Sequence, residues 1–259
     1  MRKDYHIHAN VMNQPEQFDA FVARAMSQHI AEICVTDHMP LTISHASDRI
    51  PAGCVRDYAD RVRELAKRYE DRITIRCGIE IDYHPLIVDE IRRVLDAGRF
   101  DFVLGSSHLH LFLFEFSRYT QNDFARMSVE NSIRAAETGL FSAISHPDMY
   151  RNVFERRDRY PIPGGGYDFA SVRDLFDHLI DEVRSRDMAM EINAHLAEAH
   201  DDLRFTYPQE EIVICALQKS VRFAYGSDAH RPQSVGACLD ALENHEIYGK
   251  ALNIWEAAE

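Results

Sequence analysis

The chain has 259 residues, 46% of them hydrophobic, which is enough for one large α/β barrel or two small domains with a buried core. Its 42 acidic and 29 basic residues give a formal net charge of −13, and this excess of negative charge disfavours DNA or RNA as an electrostatically captured partner. No apolar run approaches the roughly 20 residues that a membrane-spanning helix needs, so no membrane association is expected.

The cysteines and the N-terminus indicate a reducing compartment. The five cysteines are widely spaced and contain no CxxC pair, so neither a disulfide framework nor a thiolate zinc site is expected. Residues 1–3 lead directly into a predicted strand and not into the apolar core of a signal peptide. We therefore expect a cytoplasmic protein.

Seven predicted strands alternate with seven predicted helices along the chain. Runs rich in β-branched and aliphatic residues predict strands over residues 4–9, 32–36, 73–82, 102–105, 142–145, 188–193 and 221–226. Apolar residues at helical spacing predict helices over residues 15–28, 55–69, 85–97, 123–137, 171–186, 210–218 and 235–245. This alternation is typical of parallel βα units closed into one barrel, and we expect residues 1–259 to form a single domain.

The first strand carries two histidines on one face. Because successive side chains of a strand point to opposite faces, His6 and His8 lie together while Tyr5 and Ile7 take the other face. Neutral imidazole is a good ligand for Zn, Mn or Fe. The pair therefore predicts half of a metal coordination sphere.

Further candidate ligands stand at the carboxyl ends of later strands. Active sites of α/β barrels are built at this rim, because the strand ends and the loops after them converge around the barrel axis. The eight candidates are His6, His8, His38, Glu80, His108, His146, Asp228 and His230. Eight ligands exceed what one tetrahedral ion uses, so they predict two or three divalent ions, with Glu80 as the natural bridge between a pair.

Other polar residues near the rim have predicted supporting roles. Three histidines are expected to contact the ligands or the substrate: His84, His110 and His195. Asp37 and Asp82 could orient ligand imidazoles in the same way, whereas Asp148 is expected to cap a loop. Surface roles are expected for His29, His45, His178, His200 and His245. The stretch 160–167, rich in Gly and Pro, is either a flap over the site or a plain surface loop.

The ordered set of motifs resembles the PHP (polymerase and histidinol phosphatase) family of metal-dependent phosphoesterases. The motifs run from the first strand to the last: His6-Ile7-His8, Thr36-Asp37-His38, Glu80, Gly105-Ser106-Ser107-His108, Ser145-His146-Pro147-Asp148 and Gly226-Ser227-Asp228-Ala229-His230. Segments such as Asp37-His38-Met39-Pro40-Leu41 look most like the histidinol-phosphatase branch. The resemblance implies a distorted (β/α)7 TIM-like barrel, which agrees with the strand count.

The resemblance also implies how the ions are held. It assigns a first ion to His6, His8, Glu80 and Asp228, a second to Glu80, His108 and His146, and a third to His38 and His230 with one further ligand. Family members usually carry Asp or His where this chain has Gln14, so either Glu16 substitutes or the third ion is weak or absent. A second departure follows Asn193, where the phosphatases often carry a Gly-Leu-Arg-like segment.

The expected reaction is hydrolysis of a small phosphorylated metabolite. The leading candidate substrate is a phosphomonoester of the histidinol-phosphate type. Two metals would lower the pKa of a bridging water and clamp the phosphoryl oxygens, so that hydroxide attacks phosphorus in line with the leaving alcohol. Glu80, Asp228 and His230 are the expected catalytic residues. His38 and His230 would bind the phosphate or assist the departing oxygen.

Substrate contacts are expected from arginines, because the guanidinium fork matches the geometry of a phosphate group. Arg118, Arg151 and Arg231 follow the fourth, fifth and seventh strands closely enough to reach the rim, and His195 is a further candidate. The sequence leaves open which arginine binds phosphate, which metal is used and what the oligomeric state is.

Three other functions remain open on sequence alone. A phosphodiesterase acting on small nucleotides would keep the metal site and change only the pocket. A metal-dependent amide or lactone hydrolase is a second alternative, since similar barrels of histidine and aspartate ligands carry out that chemistry. The non-enzymatic alternative is a metal-binding interaction module, which the nearly complete ligand set disfavours.

Overall fold

A computed structural model describes residues 1–40, 49–111, 116–156, 159–162 and 166–252. The described strands form one parallel sheet in which β1 to β7 are hydrogen-bonded in chain order. The strands are β1 (Arg2–Ile7), β2 (Ile30–Val35), β3 (Thr74–Asp82), β4 (Phe102–Ser106), β5 (Ala143–Ile144), β6 (Ala189–Asn193) and β7 (Arg222–Gly226). The helices are α1 (Phe18–Ser27), α2 (Val55–Lys67), α3 (Val88–Gly98), α4 (Gln121–Glu137), α5 (Tyr150–Glu155), α6 (Arg173–Ser185), α7 (His195–His200), α8 (Glu210–Gln218), α9 (Leu239–Asn244) and α10 (Glu246–Leu252).

The sheet closes on itself between β1 and the segment that follows β7. Ile7 pairs in parallel with Ala229, and the amide of Asp228 donates to the carbonyl of His6 at 2.8 Å. Asp4, fully buried on β1, accepts the backbone N–H groups of Ser227, just after β7, and of Gly236, before α9. The structure therefore confirms the predicted seven-stranded α/β barrel.

The barrel holds its apolar core in two places. A large cluster of buried side chains lies between the helices and the sheet. A smaller cluster combines side chains from six of the strands, which can meet only inside a barrel: Tyr5, Cys34, Phe102, Leu104, Ala143, Ala189 and Ala224. This packing leaves the carboxyl ends of the strands for polar groups.

No helix of the described residues combines the length and apolar character needed to cross a membrane.

The prediction of one helix over residues 235–245 is wrong in its bounds. Gly236 and Cys238 adopt positive φ angles of 71° and 56°, a left-handed conformation that a helix cannot contain, so α9 begins only at Leu239. His245 is extended and separates α9 from α10.

Two six-residue helices that the sequence analysis lacked, α5 and α7, follow β5 and β6. His45, residues 163–165 of the predicted flap and the tail containing Trp255 lie outside the described residues.

Candidate metal centre

Glu80, near the end of β3, is the point on which the predicted ligands converge. Its Oε2 atom lies 3.5 Å from Nε2 of His6, 3.4 Å from Nε2 of His8 and 2.7 Å from Nδ1 of His38. All four side chains are buried to about nine-tenths or more. The alternation of β1 brings Nε2 of His6 and Nε2 of His8 within 3.0 Å of each other, as the strand period predicts.

The other oxygen of Glu80 faces a second pair of histidines. Oε1 lies 3.0 Å from Nε2 of His146 and 3.7 Å from Nε2 of His108. The hydroxyl of Ser106, at the end of β4, donates to the same oxygen at 2.5 Å. One carboxylate thus touches imidazoles on both sides, which is the arrangement that a bridging ligand requires.

Asp228 and His230 complete the cluster from the segment after β7. Oδ1 of Asp228 lies 3.2 Å from Nε2 of His8 and 3.6 Å from Nε2 of His6. The ring of His230 lies 4.3 Å from the ring of His8, measured between centroids, and 5.9 Å from that of His38. The structure therefore brings together all eight side chains that the sequence analysis selected as ligands.

The donor atoms of this cluster fit divalent cations. Within the described part of the chain, Glu80 Oε2 and His38 Nδ1 are buried and make no hydrogen bond, although they lie 2.7 Å apart. Buried polar atoms without partners are costly, and a cation between such lone pairs would remove that cost. Several sets of three ligand atoms lie within 4.8 Å of one another, among them His6, Glu80 and His146. Nitrogen and carboxylate donors together suit Zn, Mn or Fe.

Two of the candidate ligands have left-handed backbone conformations. His146 has a φ of 23° and Asp228 a φ of 54°, values that non-glycine residues rarely adopt. The amide of His146 donates to Oε2 of Glu191 at 2.8 Å, and the amide of Asp228 donates to the carbonyl of His6. These bonds to neighbouring strands hold the turns that aim both side chains inward.

Glu191 on β6 is a site residue that the sequence analysis missed. Its Oε1 lies 2.5 Å from Nδ1 of His6, and its Oε2 accepts the hydroxyl of Ser145 at 2.6 Å. The signal that could have revealed it is the alternation of β6, which places Glu191 and Asn193 on one face of an otherwise apolar strand.

The two aspartates that were expected to orient ligands behave differently. Oδ1 of Asp82 lies 2.5 Å from Nδ1 of His108 and so fixes that ring as expected. Asp37 instead accepts the amides of Asn10 and Val11 at 2.8 and 3.0 Å and holds the loop after β1. Its role is structural because its carboxylate faces backbone and not an imidazole.

Burial and neighbouring charges shift the pKa values of the cluster in both directions. Burial would raise the pKa of Glu80, but the surrounding imidazoles, His38 first, hold that pKa well below its usual range. Burial and the neighbouring imidazoles lower the pKa of His8 well below the ordinary value. Three other imidazoles shift upward: burial lowers their pKa values, but nearby carboxylates outweigh burial, Glu191 first at His6 and Glu80 first at His38 and His146. Protons therefore compete with a cation at these three histidines.

The cluster opens into a cavity of about 300 Å³. One wall is formed by α5 and the residues after it, and arginines contribute to the lining. Among the described residues, those that line the cavity outside the cluster are Arg49, His110, Met149, Asn152, Val153, Arg156, Arg159 and Tyr160. Burial lowers the pKa of His110 to about 3, so this ring is neutral near pH 7.

The three arginines expected at the rim lie outside this lining. Arg151 is paired with the buried carboxylate of Asp148 at 3.0 Å. Arg231 is exposed and donates to the hydroxyl of Ser234, and Arg118 lies exposed in a short 3₁₀ turn. The physical reason for the position of Arg151 is the buried Asp148, which needs a cation beside it.

The remaining candidates lie at different distances from the cluster. His195 is half-buried, and its Nδ1 lies 3.2 Å from the carbonyl oxygen of Asp228. His84 caps a 3₁₀ turn by accepting the amide of Leu86 at 3.3 Å. Gln14 and Glu16 are both exposed, and Glu16 belongs to no group of potential ligands among the described residues.

Comparisons with known proteins agree on one family. The PHP domain model matches residues 4–195 of the chain. The chain is 27% identical over 229 residues to a Deinococcus radiodurans protein named "Probable histidinol-phosphatase", covering 83% of this chain and 81% of that protein. It is 24% identical over 234 residues to the histidinol-phosphatase of Lactococcus lactis subsp. lactis, covering 88% of this chain and 83% of that one.

The fold also matches solved structures. The crystal structure of histidinol phosphate phosphatase from Lactococcus lactis, complexed with zinc, L-histidinol and phosphate, superimposes with a TM-score of 0.74 at 19% identity. The match covers 97% of this chain and 94% of the lactococcal chain. The topology of the barrel is therefore shared along nearly the whole length of both proteins.

Proposed function

The chain belongs to the PHP domain family, and from this premise we propose that it is a metal-dependent phosphatase that hydrolyses histidinol phosphate or a phosphomonoester very similar to it. The relatives reported above are named "Probable histidinol-phosphatase" and "Histidinol-phosphatase", and the lactococcal structure contains zinc, L-histidinol and phosphate. The observation that carries the proposal is the convergence of imidazoles on both oxygens of Glu80 at the rim of the barrel.

The proposed ligands form sets that share Glu80. A first ion would be held by His6, His8, Glu80 and Asp228, a second by Glu80, His108 and His146, and a third by His38 and His230. Divalent cations bound there would supply Lewis acidity and neutralise charge on the phosphoryl group. Zn, Mn and Fe all suit this donor set.

The chain's own residues orient these ligands and shape the pocket. Glu191 and Asp82 each contact the Nδ1 atom of a ligand imidazole, which fixes the ring and leaves Nε2 directed toward Glu80. His230 is the most open of the proposed ligands, since 39% of its side chain is exposed, and it lines the cavity. We assign it contact with the phosphoryl group or the departing oxygen.

Four further residues were expected to contact the substrate, and they stay predictions. Among them His195 lies nearest the cluster, because its Nδ1 is 3.2 Å from the carbonyl oxygen of Asp228 and its ring is 5.7 Å from that of His230. The other three, Arg118, Arg151 and Arg231, lie outside the cavity lining. They could contact only parts of a substrate that extend beyond the cavity.

The test is phosphate release from a panel of substrates by protein that has been stripped and reloaded with Mn, Zn or Fe. The panel contains histidinol phosphate, other phosphomonoesters and small phosphodiesters. We expect metal-dependent release that is fastest from histidinol phosphate. Glu80→Gln should lower kcat/KM by about a hundredfold or more, because it removes a charge that both sides of the cluster share.

The matched control is Glu64→Gln, which makes the same chemical change on the exposed side of α2 and should leave turnover unaltered. Wild-type turnover in Glu80→Gln would contradict the proposed bridge. Faster release from diesters than from any monoester would favour a phosphodiesterase. Absence of metal-stimulated release from every phosphorylated compound would contradict the proposed function as a whole.

A further inference from the structure

Arg49 differs from the other arginines of the cavity by its burial. Its side chain is 8% exposed and lines the cavity together with His38 and His108. The other two arginines among the described lining residues, Arg156 and Arg159, are exposed. Because water screens charge less in a buried position, a hydrogen bond from the Arg49 guanidinium to an anion would be screened less than one from either arginine at the mouth.

The guanidinium of Arg49 is held in a fixed orientation. Its Nη1 donates to Oδ2 of Asp82 at 2.5 Å and to the carbonyl of Met39 at 3.0 Å. A guanidinium is planar, so fixing Nη1 also fixes the directions of the remaining N–H groups. A binding group that is already oriented loses little entropy when a ligand arrives.

The backbone of Arg49 is fixed to the metal cluster as well. Arg49 pairs in parallel with His38, and the amide of Ile50 donates to the carbonyl of His38 at 3.0 Å. Asp82, which holds the guanidinium, also contacts Nδ1 of His108 through its other oxygen. The backbone of Arg49 is thus bonded to one proposed metal ligand, His38, and its side chain is linked through Asp82 to another, His108.

We propose that Arg49 is a phosphate-binding residue of this site, whose guanidinium contacts the phosphoryl oxygens of the substrate while Asp82 holds it beside His108. A phosphomonoester carries a charge of about −1.5 to −2 near pH 7, which a charged fork of N–H donors suits. The inference deepens the proposed function and rests on it for the identity of the substrate. The binding of phosphate itself is tested without turnover.

The experiment titrates inorganic phosphate into metal-loaded protein by calorimetry, with the metal content of each sample measured by elemental analysis. The variants are Arg49→Met and Arg49→Gln, the second of which can still donate to Asp82. We expect the Kd for phosphate to rise about tenfold or more in both, at wild-type metal content, because a charge-assisted hydrogen bond is lost. Arg61→Met, the same change on the surface of α2, should leave the Kd unchanged.

Wild-type affinity for phosphate in either folded, metal-loaded Arg49 variant would overturn the inference. A weakened titration that is fully explained by lost metal would overturn it too, since Arg49 would then only support Asp82. So would failure of the wild-type protein to bind phosphate. Turnover of histidinol phosphate is measured in parallel: its absence would remove the proposed function, while the phosphate titration would still decide the role of Arg49.

Discussion

Glu191 holds two of the proposed metal ligands at the same time. One of its oxygens contacts Nδ1 of His6, and the other accepts the backbone amide of His146 at 2.8 Å. A carboxylate behind a ligand imidazole fixes the ring and makes its other nitrogen a better donor. Both effects direct Nε2 of His6 toward Glu80 and Asp228, where it lies within 3.6 Å of each.

Replacing this carboxylate should weaken metal binding without removing a proposed ligand. We expect Glu191→Gln to lower the affinity for the most tightly bound ion about 10- to 100-fold, as loss of an outer hydrogen-bond partner typically does. Competition with a chromophoric chelator measures the change. Glu70→Gln, at an exposed position, is the control. An unchanged affinity in Glu191→Gln would show that His6 needs no support from β6.

At the scale of single residues, the sequence predicts the proposed ligands better than the residues that orient them. Each proposed ligand stands at or near a strand end next to other metal-binding residue types, so its position alone suggests a site. Glu191 stands inside a short apolar strand, 185 positions from the histidine that it contacts. Arg49 lies in a polar stretch where nothing distinguishes it from other arginines. Only the folded barrel shows which of these side chains face the cluster.

Gly226, the last residue of β7, lies in close contact with side chains of both neighbouring strands, β6 and β1. A Cβ atom on this residue would lie 2.1 Å from Oε1 of Glu191 and 2.6 Å from the Cβ of His6. Neither neighbour can withdraw easily, because both are buried and bonded to each other. The glycine is therefore required by packing, and its φ is not in the left-handed region.

We expect Gly226→Ala to lower metal affinity at least as much as Glu191→Gln, because the added methyl group pushes Glu191 and His6 apart. Gly98→Ala is the comparison: its Cβ would meet the ring of Phe100 at 2.1 Å, away from the site. That variant should lose about 1–3 kcal/mol of unfolding free energy from overpacking and keep its metal affinity. Metal affinity is measured by chelator competition. Equal affinity in the two variants would contradict the expectation that a methyl group at Gly226 displaces Glu191 and His6.

The strands and the long helices were predictable, whereas two short helices were not. The strands and long helices lie within about three residues of their predicted bounds, since most of them show apolar periodicity over several turns or pairs. Helices α5 and α7 have six residues each, too few to show a period. They form because Tyr150 and Leu196 are buried against the rest of the protein. This matters for function, because α5 supplies a wall of the cavity.

On the scale of the whole molecule, the proposed ligands join distant parts of the chain. They extend from His6 on β1 to His230 after β7, and the described sheet closes between these two ends. Bound ions would therefore stabilise the closed barrel as a unit. The sequence predicted this closure from the count of βα units, whereas the hydrogen bonds of the seam could be read only from the structure.

Removal of metal should lower the thermal stability of the entire barrel. An ion that binds only the folded state adds about 4 kcal/mol when its free concentration is a thousand times its Kd. We expect chelation to lower Tm in differential scanning calorimetry and readdition of Zn or Mn to restore it. The shift should be smaller in Glu80→Gln, which binds metal more weakly. An identical Tm with and without chelator would show that the cluster binds no ion in the folded protein.

The seam between β1 and the end of β7 also sets the order in which the proposed first metal site is completed during synthesis. His6 and His8 are translated long before their partner Asp228 and the amides that bond to β1. A nascent chain that ends between these positions therefore holds the two histidines without the carboxylate. The proposed first ion would gain its full set of ligands only after the segment that follows β7 has paired with β1.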